Sequence, residues 1–138
     1  MSETAAFLVD EVFPKVPIRQ WVLSFPFPLR YLMASSSEVQ SSVLAIVLRT
    51  VTGLIRRKAR RHGVIGPIVP GAVTLIQRFG GSINLNVHFH MLVLEGAYAV
   101  MDGELRWIAV SPPTDEEVRE VIQTLSVRIL GHLIRKGY

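Results

Sequence analysis

The stretch Asn84-Leu85-Asn86-Val87-His88-Phe89-His90-Met91 alternates polar and apolar residues without a break. Successive side chains of a strand point to opposite faces, so Asn84, Asn86, His88 and His90 share one face and Leu85, Val87, Phe89 and Met91 the other. The run goes on as Leu92-Val93-Leu94, apolar in both directions, which predicts a strand central to its sheet and covered on both sides. Residues two apart on a strand stand roughly 6.5–7 Å apart and project in parallel, so imidazoles at 88 and 90 can lean onto one divalent ion. The water-facing half of an antiparallel sheet shows the same alternation and needs no ligand.

Working outward, Val73 to Phe79 reads as a second strand, joined through Gly80-Gly81-Ser82 to the histidine strand, Leu85 to Leu94. So short a turn makes the two antiparallel neighbours. Upstream, Gln20 to Phe25 reads as the first strand, with Trp21, Leu23 and Phe25 on one face and Gln20, Val22 and Ser24 on the other. Pro26 and Pro28 end it, since neither can donate to a ladder. The polar Gln20 and Ser24 are candidates for the histidine face, but register between strands is not written in the sequence. Downstream, Gly96 to Val100 and Leu105 to Val110 read as a further hairpin about Asp102-Gly103.

Three segments carry helical periodicity. Residues 3–13 give a short one that Pro14 ends. Ser35-Ser36-Ser37-Glu38 reads as a capping box that opens a long helix to about Arg61. Its apolar face is Val39, Val43, Ile46, Val47, Val51, Leu54 and Ile55, and Gly63 stops it. The glycine- and proline-containing segment from Gly63 to Gly71 reads as a flexible connection. Thr114-Asp115-Glu116-Glu117 opens the last helix with another capping box, and Val118, Val121, Ile122, Leu125, Ile129, Leu133 and Ile134 form its apolar stripe. The sum is an α+β fold, an antiparallel sheet with helices packed mainly on one face, in a single domain over 16–138 behind a helical lead-in at 1–15.

Composition suits one apolar domain: of 138 residues, 49% are hydrophobic and 19% charged. No run of about 18–20 uncharged apolar residues occurs, so no membrane span is expected. The opening Met1-Ser2-Glu3-Thr4 lacks the basic start of a signal peptide, and the absence of cysteine agrees with a cytoplasmic protein. The net charge is +4 and the isoelectric point about 10.0. Arg56, Arg57, Lys58, Arg60 and Arg61 crowd the end of the long helix. Such a cluster suits phosphate contact along a DNA strand, and equally a solvated helix end whose dipole favours cations.

His88-Phe89-His90 resembles the His-hydrophobe-His motif of the HUH endonucleases. The surroundings are more specific. Val16-Pro17-Ile18-Arg19-Gln20-Trp21-Val22-Leu23-Ser24, Leu29-Arg30-Tyr31-Leu32 and Gly71-Ala72-Val73-Thr74-Leu75-Ile76-Gln77-Arg78-Phe79-Gly80 precede Leu85-Asn86-Val87-His88-Phe89-His90. Together they resemble, in order, the catalytic region of rolling-circle insertion-sequence transposases, the group that includes the ISCR elements. The resemblance implies transposition by nicking and joining single-stranded DNA at element ends through a phosphotyrosine intermediate, in a bacterial, nucleoid-associated setting. It implies Mg²⁺ or Mn²⁺ held by His88 and His90, for which Gln77 is the candidate third ligand. Asn84 and Asn86 are cast as supporting partners of those ligands, and Arg56, Arg57, Lys58, Arg60 and Arg61 as the DNA-binding group. The chain departs from the family in having no cysteine-rich zinc region, and none of Tyr31, Tyr98 and Tyr138 falls where the family's nucleophile would. It is therefore expected to be a fragment that carries the metal-binding core without the catalytic tyrosine. The alternative is a non-catalytic module that binds single-stranded DNA, with Phe79 and Trp107 stacking on bases.

Overall fold

The computed structural model describes residues 3–79 and 85–138. The chain starts with a short helix α1 (Glu3–Phe7) and a π-helical turn (Leu8–Val12). There follow β1 (Ile18–Ser24), α2 (Phe27–Ser35), α3 (Ser37–Arg60), β2 (Ile68–Phe79), β3 (Leu85–Met101), β4 (Glu104–Ala109) and α4 (Asp115–Arg135). The turn expected at Gly80-Gly81-Ser82, and Asn84 with it, lies outside the described residues.

The sheet is antiparallel, with β3 between β1 and β2 and with β4 also paired to β3. The α+β expectation holds. Two strands differ from their expected extent. β3 does not stop near Leu94 but runs unbroken to Met101, so the stretch read as a separate strand from Gly96 is its continuation. Gly96 marks a close approach rather than a turn: a Cβ there would press on the Ile108 carbonyl and stand 2.5 Å from Cζ2 of Trp107. Trp107 lies against Tyr98 with ring centroids 5.1 Å apart and planes inclined at 60°, filling the space over the glycine. Likewise β2 begins at Ile68, not Val73, which shortens the expected loop. Its register shifts between Pro70 and Ala72. An edge strand with a bulge is where a proline in a sheet is tolerated, because its missing N–H breaks no central ladder.

Alternation along β3 sorts the faces as expected. Val87, Phe89, Met91 and Val93 are buried against the helical layer, with Phe89 edge-to-face on Phe25 at 5.1 Å. Leu92 and Leu94, on the histidine face, are buried as well. α3 supplies Val39, Val43, Val47, Val51 and Leu54 to the same core. By length and composition α3 is apolar enough to cross a membrane. In the fold, those residues are the ones facing the sheet, which accounts for its hydropathy.

The helix termini follow local chemistry. Ser36, not Ser35, caps α3, its hydroxyl accepting from Val39 N at 3.2 Å, so Glu38 closes no capping box. Gly63 sits at φ +85° just past the helix, the left-handed position a non-glycine residue avoids. At α4 the box forms as expected between Thr114 and Glu117. Helix α2 was not expected from periodicity. Pro26 and Pro28, which stop β1, also start α2, because a proline in the first turn gives up no helical hydrogen bond. α4 buries Val121, Leu125, Ile129 and Leu133, whereas Ile122 and Ile134, expected in its stripe, are exposed. The cause is placement: α4 packs chiefly on α3, so only the residues along that line are covered.

Candidate metal centre

The two histidines lie at the middle of the sheet. β1 places Ser24 opposite His88 and Val22 opposite His90. β2 places Gln77 opposite His88 and Leu75 opposite His90. Cross-strand partners in an antiparallel sheet share a face, so Ser24, His88 and Gln77 form one row and Val22, His90 and Leu75 the next. Both imidazoles are half-buried, with ring centroids 4.9 Å apart and planes inclined at 63°.

The hydrogen bonds around the rings bear directly on ligation. His88 Nδ1 lies 2.6 Å from the carbonyl oxygen of Asn86. A carbonyl can only accept, so Nδ1 carries the proton and Nε2 keeps its lone pair, the form a metal ligand needs. His90 Nδ1 lies 2.7 Å from Nε2 of Gln20. With the amide nitrogen toward the ring, the amide donates and the ring proton sits on Nε2; turned over, the amide carbonyl takes a proton from Nδ1 and frees Nε2. Partial burial, and then the neighbouring His88, hold His90 below the ordinary imidazole value of 6.5, which favours its neutral form.

Asn86 is itself oriented. Its Oδ1 accepts from Arg30 Nη1 at 3.0 Å, and the Arg30 guanidinium lies over the Phe27 ring at 5.9 Å from the centroid. Sequence reasoning missed Arg30 as a site residue. It arrives from α2, about 56 residues away along the chain, and nothing in local spacing links it to the histidines. Gln20 carried a signal, being polar on the same face as Ser24 in β1, but its pairing depends on register.

The donors present fit a divalent ion in part. Two imidazoles stand together, and Gln77 occupies the adjoining position in their row. Among the described residues, no third histidine, cysteine or carboxylate joins them. Glu95, at odd offset on β3, points to the other face and pairs with Arg19.

The basic cluster is divided by the fold. Arg56, Arg57, Arg60 and Arg61 are exposed. Lys58 is not: it is 6% exposed and donates to Ser111 O at 2.7 Å, Pro112 O at 3.2 Å and Glu117 Oε1 at 2.9 Å. With its ammonium donors all occupied inside the protein, Lys58 has none to offer a DNA phosphate, which corrects its place in the expected DNA-binding group. Arg60 Nη1 binds the carbonyls of Val64, Ile65 and Gly66, tying down the chain after α3. Phe79 and Trp107 do not share a platform, because Phe79 pairs with Leu85 and Trp107 with Tyr98, positions about 40 Å apart along β3.

The fold and site thus describe an α+β chain with a polar histidine pair on the central strand of an antiparallel sheet. Residues 71–136, from β2 to the end of α4, match the model of a family described as "putative transposase". The match supports a transposase family, a role in transposition and, in general terms, a DNA-processing enzyme. No curated protein and no solved structure matches the chain.

Proposed function

We propose that the chain carries the metal-binding core of an HUH-type, rolling-circle transposase that nicks and rejoins single-stranded DNA at element ends. One observation carries this reading: His88 and His90 stand ring to ring on the central strand, with His88 Nδ1 tied to a carbonyl so that Nε2 is free. His88, His90 and the amide of Gln77 would hold Mg²⁺ or Mn²⁺, which supplies Lewis-acid polarisation of a phosphoryl oxygen. Imidazole donors favour Mn²⁺ of the two. The chain's own residues do the rest. The Asn86 backbone carbonyl fixes the His88 tautomer, Arg30 holds the Asn86 side chain, and Gln20 orients the His90 ring. Exposed Arg56, Arg57 and Arg61 are the members of the basic cluster that serve as phosphate contacts, which hold a strand without reading its sequence.

A tyrosine hydroxyl is the nucleophile of the proposed reaction, attacking phosphorus to give a phosphotyrosine link and release a 3′-hydroxyl. Tyr98 is not that group: eight residues along β3 from His90 it stands about 26 Å away, its ring packed against Trp107.

A second reading, a DNA-binding module without chemistry, draws on the lack of a third histidine, cysteine or carboxylate among the described residues. Thermal unfolding with Mn²⁺ separates the two. At a hundred times its dissociation constant, a ligand of the folded state adds about 2.7 kcal/mol, and His88→Ala and His90→Ala should each abolish the shift. A wild-type melting temperature indifferent to millimolar Mn²⁺ refutes the metal centre and leaves the second reading.

A further inference from the structure

On the helical side of the molecule, away from the histidines, α3 and α4 flank an open hollow of about 540 Å³ lined by Ile46, Arg49, Val127, Arg128, His132 and Arg135. No carboxylate lines it. The two helices run antiparallel there, since Lys58 meets Glu117 at one end and Thr50 meets Arg128 nearer the other. The acidic first turn of α4 is therefore at the far end of the helix pair, beside Lys58.

We propose that this groove is a second phosphate-binding surface, one that takes the sugar–phosphate backbone of a nucleic-acid strand. Arg128, His132 and Arg135 recur at four and three on one face of α4 and span about 10 Å of helix axis. That is the rise of roughly three nucleotides along one strand of B-form DNA. The side chains are held in place rather than loose. Arg128 Nη1 donates to Thr50 Oγ1 at 3.2 Å, and Thr50 in turn donates to Ile46 O at 2.8 Å. Arg49 is anchored through Nε to Ala45 O at 3.2 Å, which leaves its terminal amines free to form a fork on a phosphate. Gly131 lets Arg135 lie close along the helix, its Nη1 only 3.3 Å from where a Cβ would stand.

The dipole of α4 does not account for the cluster. Its influence is confined to the last turn, so it explains Arg135 and His132 but neither Arg128, further back, nor Arg49 on another helix. Like charges converging without a carboxylate repel one another, and a polyanion relieves that repulsion. The choice of nucleic acid as the polyanion rests on the transposition reading above; the geometry of the groove does not.

Binding of a labelled single-stranded oligonucleotide to the full chain, measured by anisotropy across a salt series in EDTA, tests the groove without involving the metal. The paired variants are Arg128→Gln with Arg135→Gln, and as a control of equal charge loss Arg106→Gln with Arg119→Gln, both exposed positions outside the groove. The groove pair should weaken binding and lower the slope of log K against log salt by about 1.4, at about 0.7 per phosphate contact on a single strand. The control pair should lower it by less than half of that. Val127→Glu puts a carboxylate on the exposed floor without touching the arginines or their bonds, and should weaken binding too. Equal slopes for the two pairs, wild-type binding by Val127→Glu, or no binding by the wild type would overturn the proposal. So would arginine-dependent capture by phosphatidylserine vesicles with oligonucleotide binding unchanged. Because the groove is assayed in EDTA and the metal centre by the effect of Mn²⁺ on unfolding, the two can fail separately.

Discussion

Replacing Lys58 with Met asks whether that residue belongs to the surface or to the interior. Its ammonium joins the end of α3 to the start of α4, with side-chain exposure of 7% for Lys58 and 17% for Glu117. Glu117 Oε1 also accepts from Thr114 N at 2.9 Å, so one carboxylate oxygen serves the helix cap and the ion pair together. Removing one member of a buried pair costs about 3–5 kcal/mol, because the other is left desolvated. Here Glu117 keeps its cap bond, and Met fills most of the vacated volume, so the expected loss is the lower end, about 3 kcal/mol. For a chain of this size that is a fall of about 10 °C in Tm, at about 3–5 °C per kcal/mol. Urea and thermal unfolding measure it, and the double variant with Glu117→Gln should show a coupling of at least about 1 kcal/mol. Oligonucleotide binding by the folded variant should keep the wild-type salt slope. A Tm within about 2 °C of wild type, together with a flattened slope, would refute the reasoning and return Lys58 to the DNA-contacting surface.

Further consequences concern the same network and the site. The bond from the Thr114 backbone, and then Lys58, hold the Glu117 carboxyl below its ordinary value of 4.5. The unfolded chain therefore takes up this proton more readily, so the stabilisation is full above that value and lost as pH falls through the lowered one. Urea midpoints taken downward from neutral pH should show an acid loss that shrinks in Glu117→Gln; the same loss in both would exclude this group as its source. Gly96→Ala should cost at least about 1–3 kcal/mol and alter Trp fluorescence, since the added methyl displaces Trp107 and the β4 backbone; unchanged stability would show that the close approach is not sustained. Gln20→Ala should weaken Mn²⁺ binding about 10–100-fold with little change in Tm, by freeing the His90 ring. Calorimetric titration showing undiminished affinity would remove Gln20 from the metal centre.

Much of this protein is legible in its sequence because the deciding interactions are local. The period of two through residues 85–91 separates a core face from a polar one, and the structure keeps that division. The cap at Thr114, the stop at Gly63 and the apolar face of α3 follow from the same short-range rules. Segment ends were less legible. Gly96 reads as a break until β4 is folded against it, and Pro26 and Pro28 read as a stop until α2 is seen to begin on them.

What the sequence could not determine is what meets what. Five cations adjacent in the chain look alike, yet only the packing of α4 against α3 turns Lys58 inward to three oxygen acceptors while its neighbours remain exposed. The histidine pair itself was visible from its spacing. Its surroundings were not: Gln20 reaches His90 through the register of β1, Gln77 faces His88 through that of β2, and Arg30 meets Asn86 through the docking of α2. The basic groove arises in the same way, from residues of two helices that come together only after folding. Register and docking depend on burying whole faces at once, a sum over many distant contacts, whereas the pattern of a strand or the cap of a helix depends on a few adjacent residues.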